Sequence, residues 1–126
     1  MASDSAAAIL VVEDEALTAM LVVMDLEDAG YGVVTASNAE EAIAMLEVDG
    51  ASFRALVTDV NFASHQPTGW DLARRARAIT DDLPVVYISG ASGHEWQAHG
   101  VAGSRMIAKP FSAGQIVKAV SQLLEG

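Results

Sequence analysis

The sequence predicts an α/β sandwich, doubly wound about one mostly parallel sheet, in which five strands alternate with five helices. Three features predict it: five short apolar runs with little alternation, helical periodicity between them, and no stretch that resembles a domain linker. Residues 9–12 form the first run, and continuous apolarity fits a strand buried on both faces. Leu17, Met20, Leu21 and Met24 then share one helical face, which is expected to cover the sheet, and Gly30 stands where that helix stops. The second run covers residues 33–36. Ser37 with Glu40 matches a capping box ahead of a helix whose apolar face is Ala39, Ala42, Ile43 and Leu46. Residues 55–58 are the third run, and Thr68 with Asp71 is a weaker relative of the same capping pattern. After the fourth run, residues 85–88, Ser92 with Glu95 opens a helix that Gly100 and Gly103 limit to about two turns. Residues 106–108 are the fifth run. Ser112 with Gln115 then starts a last helix carrying Ile116, Val117, Val120, Leu123 and Leu124 on one face. Crossovers between parallel strands are right-handed. Residues 1–7 form a small polar lead-in expected to fray, and residues 48–54 and 61–67 are the connections long enough to be irregular.

A chain of 126 residues with 52% hydrophobic content fits one domain, 1–126, able to bury a core without staples. It contains no cysteine, so it has neither a disulfide framework nor a thiolate metal site, and a reducing cytoplasm is the natural compartment. No segment has the length or flanks of a membrane span or a signal peptide. Seven Lys and Arg against 17 Asp and Glu give a formal charge of -10, which repels nucleic acid and anionic lipid and favours a protein partner or a cation.

Ligands of a doubly wound sheet bind outside the carboxyl ends of its strands. There the first strand is followed by Glu13 and Asp14, the third by Asp59, the fourth by Ser89 and the fifth by Lys109. Three clustered carboxylates repel one another, and a hard divalent cation with oxygen ligands, Mg²⁺, relieves that repulsion. A carboxylate beside such a cation can attack a phosphoryl group in line while a lysine and a hydroxyl stabilise the equatorial oxygens, and Lys109 and Ser89 suit those roles.

The motifs VVEDE, ALVTDVN, VVYISG and AKPF, in that order along nearly the whole chain, resemble those of two-component response-regulator receiver domains. The resemblance implies a flavodoxin-like sheet of order 2-1-3-4-5 and a phosphorelay role. Asp59 would be the phosphoacceptor, served with Mg²⁺ by a histidine kinase or a histidine phosphotransfer protein. Asp14 would bind the metal directly, Glu13 often through water, and Asn61 through its backbone carbonyl. Lys109 would pair with the phosphoryl oxygens, Ser89 would be the switch hydroxyl, Gly90 would keep the site open to donors, and Lys109-Pro110 would be cis. Such a domain is a signalling phosphoacceptor, with only self-catalysed transfer and autodephosphorylation. It would act alone or as part of a hybrid kinase, its output carried by protein contacts on the face of helix 4, strand 5 and helix 5. Two positions depart from the family pattern. Met106 stands where an aromatic is usual, as core or as a filler of space left by Ser89, and the loop NFASHQPTGW is longer than the usual one.

Other readings are weaker. His65, His94 and His99 lack metal-ligand spacing and read as surface histidines, while His65 and Gln66 lie on a solvated loop bordering the site. Arg74, Arg75 and Arg77 mark the outer face of the third helix, and Trp70 and Trp96 are either packing residues or partner anchors. An aspartate-nucleophile phosphatase would carry its DxDxT motif after the first strand. A nucleotide or flavin carrier needs a phosphate-cradling loop where this chain has Glu13-Asp14-Glu15.

Overall fold

The computed structural model describes residues 8–63, 67–90, 93–112 and 114–125. The lead-in, His65, Gln66 and the Ser92 cap fall outside them. The elements run β1 (Ala8–Val12), α1 (Ala16–Asp28), β2 (Gly32–Ala36), α2 (Ala39–Asp49), β3 (Phe53–Asp59), α3 (Gly69–Ile79), β4 (Val85–Ser89), α4 (Trp96–His99), β5 (Arg105–Ala108) and α5 (Gln115–Glu125). Every strand pair is parallel and the order is β2-β1-β3-β4-β5. The expected α/β sandwich is therefore present, with strands one to three residues longer than the apolar runs alone indicate.

Two cores flank the sheet because strand side chains alternate faces. Leu10, Val12, Leu56, Val85 and Tyr87 pack with Leu46 of α2 and with Trp70, Leu72 and Ala76 of α3. Ile9, Val11, Val57, Val86 and Ile88 pack with Val22 and Leu26 of α1 and with Ile116 and Val120 of α5. Burial on both faces explains why these strands show no polar alternation.

The first helix corrects an expectation. Leu17, Met20, Leu21 and Met24 do share a face, but that face is 70%, 55%, 57% and 53% exposed, and Val22 and Leu26 on the other side are buried. The helix is apolar nearly all round, so periodicity alone does not say which side meets the sheet. The cap of α2 also shifts by one residue. Asn38, not Ser37, is the N-cap: its side chain accepts from Glu41 N at 2.8 Å, and Glu41 reaches back to Ser37 N at 2.7 Å. Asn caps as well as Ser does, so the pattern can slide. The Thr68 and Asp71 pair, by contrast, forms a complete capping box. Gln115 Oε1 accepts from Ser112 N at 2.8 Å. Gly30 follows the end of α1 with φ +97°, a conformation in which a Cβ would be strained.

Candidate functional site

The strands carry their terminal polar residues to one edge, and the backbone ladder continues one step beyond each to hold them there. Glu13 N donates to Ala36 O at 3.2 Å, Val60 N to Ile88 O at 3.1 Å, and Lys109 N to Ser89 O at 2.9 Å. Oxygens of Glu13, Asp14 and Asp59 all lie within 4.8 Å of one another. Lys109 Nζ sits 3.3 Å from Asp59 Oδ2 and 3.5 Å from Glu13 Oε1. Glu13, Asp59 and Ser89 are buried, Lys109 is half-buried, and Asp14 is exposed at the rim. Asn61 is exposed two residues beyond Asp59 on the same loop. Glu13, Asp14, Asp59 and Lys109 thus come together at the carboxyl edge of the sheet, with Ser89 at the end of the neighbouring β4 and Asn61 just beyond β3.

Three carboxylates and one ammonium leave the cleft short of positive charge. Burial, and next the charge of Asp59, push the Glu13 carboxyl up to about 7. Burial likewise raises Asp59, against the pull of Lys109. Burial also opposes the charge on Lys109, but the carboxylates of Asp59 and Glu13 outweigh it and hold its pKa up. Glu13 Oε1 is buried with no partner in hydrogen-bond geometry, and Lys109 Nζ stands 3.5 Å from it. An orphaned buried carboxylate oxygen beside two further acids fits a hard divalent cation, which Glu13, Asp14 and Asp59 could hold.

Several supporting contacts are invisible in a linear reading. Asp14 Oδ2 accepts from Ala63 N at 2.7 Å, fastening the loop after β3 to the end of β1. Asp59 Oδ1 accepts from Val60 N at 3.0 Å, which leaves Oδ2 toward Lys109. At Gly69 a Cβ would lie 2.1 Å from Asp59 O and 2.8 Å from Val60 Cα. Its N–H donates to Val60 O at 2.7 Å. No bulkier residue permits that approach, so the start of α3 bears directly on the Asp59 turn. Gly90 is less constrained, because a Cβ would meet Lys109 Cβ at 3.8 Å, ordinary contact.

The remaining candidates take structural places. Trp70 is buried against Tyr87 with ring centroids 4.7 Å apart, and Trp96 Nε1 donates to Ser104 Oγ at 2.9 Å, so both tryptophans pack. Met106 is half-buried and pairs across the sheet with Tyr87, whose hydroxyl accepts from Val101 N at 3.1 Å. His94 is exposed with Nε2 3.8 Å from Glu95 Oε2, His99 lies beside Trp70, and neither belongs to a group of three or more possible metal ligands among the described residues. Arg74 pairs with Asp71, Arg75 with Glu47, and Arg77 donates to Leu83 O and Ala102 O. The Lys109-Pro110 bond is cis.

Comparison with known proteins is consistent across sequence and structure. A family model described as the response regulator receiver domain matches residues 9–121. The chain superposes on the crystal structure of a response regulator receiver protein from Sinorhizobium medicae WSM419 with a TM-score of 0.90 and 42% identity, covering 95% of each chain. It is 30% identical over 118 residues to the response regulator receiver protein CpdR of Brucella abortus (strain 2308), covering 92% of this chain and 95% of that one. It is also 30% identical over 121 residues to the sensor kinase CckA of the same organism, of which it spans 13%. Of the other curated relatives it spans from 26% to about half, as with the 49% of a probable transcriptional regulatory protein from Picosynechococcus.

Proposed function

The chain belongs to the response regulator receiver domain family, the phosphoacceptor module of two-component signalling, and from that premise we propose that Asp59 is its phosphoacceptor. The observation that carries the assignment is the buried Asp59 carboxylate with Lys109 Nζ 3.3 Å away, at the end of the middle strand. In this reading one Asp59 oxygen attacks the phosphorus of a phosphohistidine, the P–N bond breaks, and the imidazole leaves with that electron pair. Lys109 neutralises charge on a phosphoryl oxygen and the Ser89 hydroxyl donates to another. Mg²⁺ held by Glu13, Asp14, Asp59 and the Asn61 carbonyl would lower the repulsion between the acids and the incoming phosphoryl group. Return of the phosphoryl group to water is self-catalysed at the same site.

A protein donor suits the surroundings better than a small ester does. The outward face of α1, with Leu17, Met20, Leu21 and Met24, runs beside a cavity of ≈350 Å³ lined by Thr18, Leu21, Lys109, Pro110 and Phe111. Apolar residues at 17, 20, 21 and 24 have the spacing that accepts a partner helix. The donor would be a histidine kinase or histidine phosphotransfer protein, and the signal would leave through protein contacts on the α4, β5 and α5 face. One receiver domain accounts for residues 1–126. No described helix is long and apolar enough to cross a membrane, and with the cysteine-free composition this supports a cytoplasmic setting. Incubation with Mg²⁺ and acetyl phosphate, read by intact mass, is expected to add one phosphoryl group to the parent protein and none to Asp59→Asn. An adduct of equal yield in Asp59→Asn would overturn the assignment.

A further inference from the structure

The charge of this protein is not spread evenly. From position 96 to 124 the chain holds no Asp or Glu and three of its seven cations, Arg105, Lys109 and Lys118, so all 17 acids lie elsewhere. Most cations are already engaged. Arg54 stacks over the Tyr31 ring, Arg74 and Arg75 pair with acids, Arg77 donates to backbone carbonyls, and Lys109 belongs to the cleft. Among the described residues Arg105 and Lys118 are the cations left without an ion pair, a carbonyl partner or a ring contact, and both line the same groove of ≈260 Å³ between β5 and α5. Gln115 and Gln122 add hydrogen-bonding ends to its wall, and Met106 and Ile107 give it an apolar floor.

The groove also follows a free sheet edge. β5 is the last strand of the order, so among the described residues one side of its backbone has no neighbouring strand, and α4 is only four residues long. An open edge recruits an added strand, with main-chain bonds giving affinity and alternate side chains giving specificity. On a chain of charge -10, two neighbouring cations with no carboxylate oxygen within 4.0 Å among the described residues form a local electropositive site.

We infer that the β5 and α5 groove docks an extended acidic segment of a partner protein, laid along the β5 edge with its carboxylates on Arg105 and Lys118. This names the chemistry of the partner at the output face proposed above and rests on that reading, though not on phosphoryl transfer. The acidic bulk of the molecule repels such a segment everywhere else, so the groove is selective by exclusion as well as attraction.

Fluorescence anisotropy with a labelled, end-blocked Glu-Val-Glu-Ile-Glu-Val-Glu peptide tests it. The parent protein is expected to bind this peptide and not its Lys-for-Glu counterpart, with affinity falling as salt rises. Arg105→Gln with Lys118→Gln is expected to weaken binding about tenfold, as the loss of two exposed charge pairs would. Arg74→Gln, on the far face, leaves it unchanged. Equal binding by the double variant, or no binding by the parent, would sink the inference. Two further outcomes do the same: a dimer by sedimentation that the double variant dissolves, making the occupant a second copy, or tighter binding of an oligothymidylate at the same residues. Intact-mass phosphorylation of the double variant reads Asp59 separately, so docking and phosphoryl transfer fail independently.

Discussion

Gly69 and Gly90 flank the same cleft and make opposite demands on it. A methyl at 69 would fall 2.1 Å from Asp59 O, so Gly69→Ala must move the acceptor turn or the start of α3. A methyl at 90 would meet Lys109 at 3.8 Å and fit. Gly69→Ala is expected to lower stability by roughly 1–3 kcal/mol and slow phosphorylation, whereas Gly90→Ala melts like the parent. Indistinguishable melting curves for the two variants would contradict the close approach. Glu13 sets a pH dependence. Below about pH 4.5 it is protonated in folded and unfolded chains alike, but between about 4.5 and about 7 the unfolded chain releases a proton that the folded chain keeps. Stability of the metal-free protein is therefore expected to fall as pH rises through that window and to level off above it. Asp59, raised for the same reason of burial, adds to the slope. Urea midpoints at about pH 5 and pH 8 in chelator check this, with Glu13→Gln flattening part of the difference, on the order of 1–3 kcal/mol.

Among the elements, α1 has two apolar sides with different tasks. Leu26 is fully buried against the sheet, and Leu26→Ala is expected to cost about 2–5 kcal/mol. Leu21 is 57% exposed, and Leu21→Glu is expected to leave stability within about 0.5 kcal/mol. The same change is expected to slow transfer from a protein donor while sparing acetyl phosphate, because only the former needs the helix face. Loss of both rates together would place Leu21 in the cleft rather than on a docking surface. The helix periods were legible in the sequence, and so was the existence of each helix. The inward side of α1 was not, since Leu17, Met20, Leu21 and Met24 repeat as well as Val22 and Leu26 do. The cap of α2 moved for a similar reason: Ser37 and Asn38 are adjacent residues of equal capping strength, and the geometry of the turn out of β2 chooses between them.

Across the whole molecule, net charge of -10 and the convergence of three acids at one sheet edge tie stability to cations. Mg²⁺ binding to the folded chain alone is expected to raise Tm progressively with concentration, and Asp14→Asn to blunt the rise; a shift that Asp14→Asn leaves intact would mean general screening instead. The sequence by itself determined the alternation of strands and helices, the burial of the central strands β1, β3 and β4 on both faces and the residues at the carboxyl edge of the sheet. Those follow from local period and from the polar residue that ends each apolar run. The edge strands β2 and β5, read as buried too, are largely exposed or half-buried because each has a neighbour on one side only. Only the tertiary structure decided which side of α1 packs and that Gly69 presses on the Asp59 turn. It alone also ties Asp14 to Ala63 and brings Arg105 and Lys118 together on one groove without partners among the described residues. Each of these depends on distance through space between residues far apart in the chain, a quantity that periodicity along the chain does not contain.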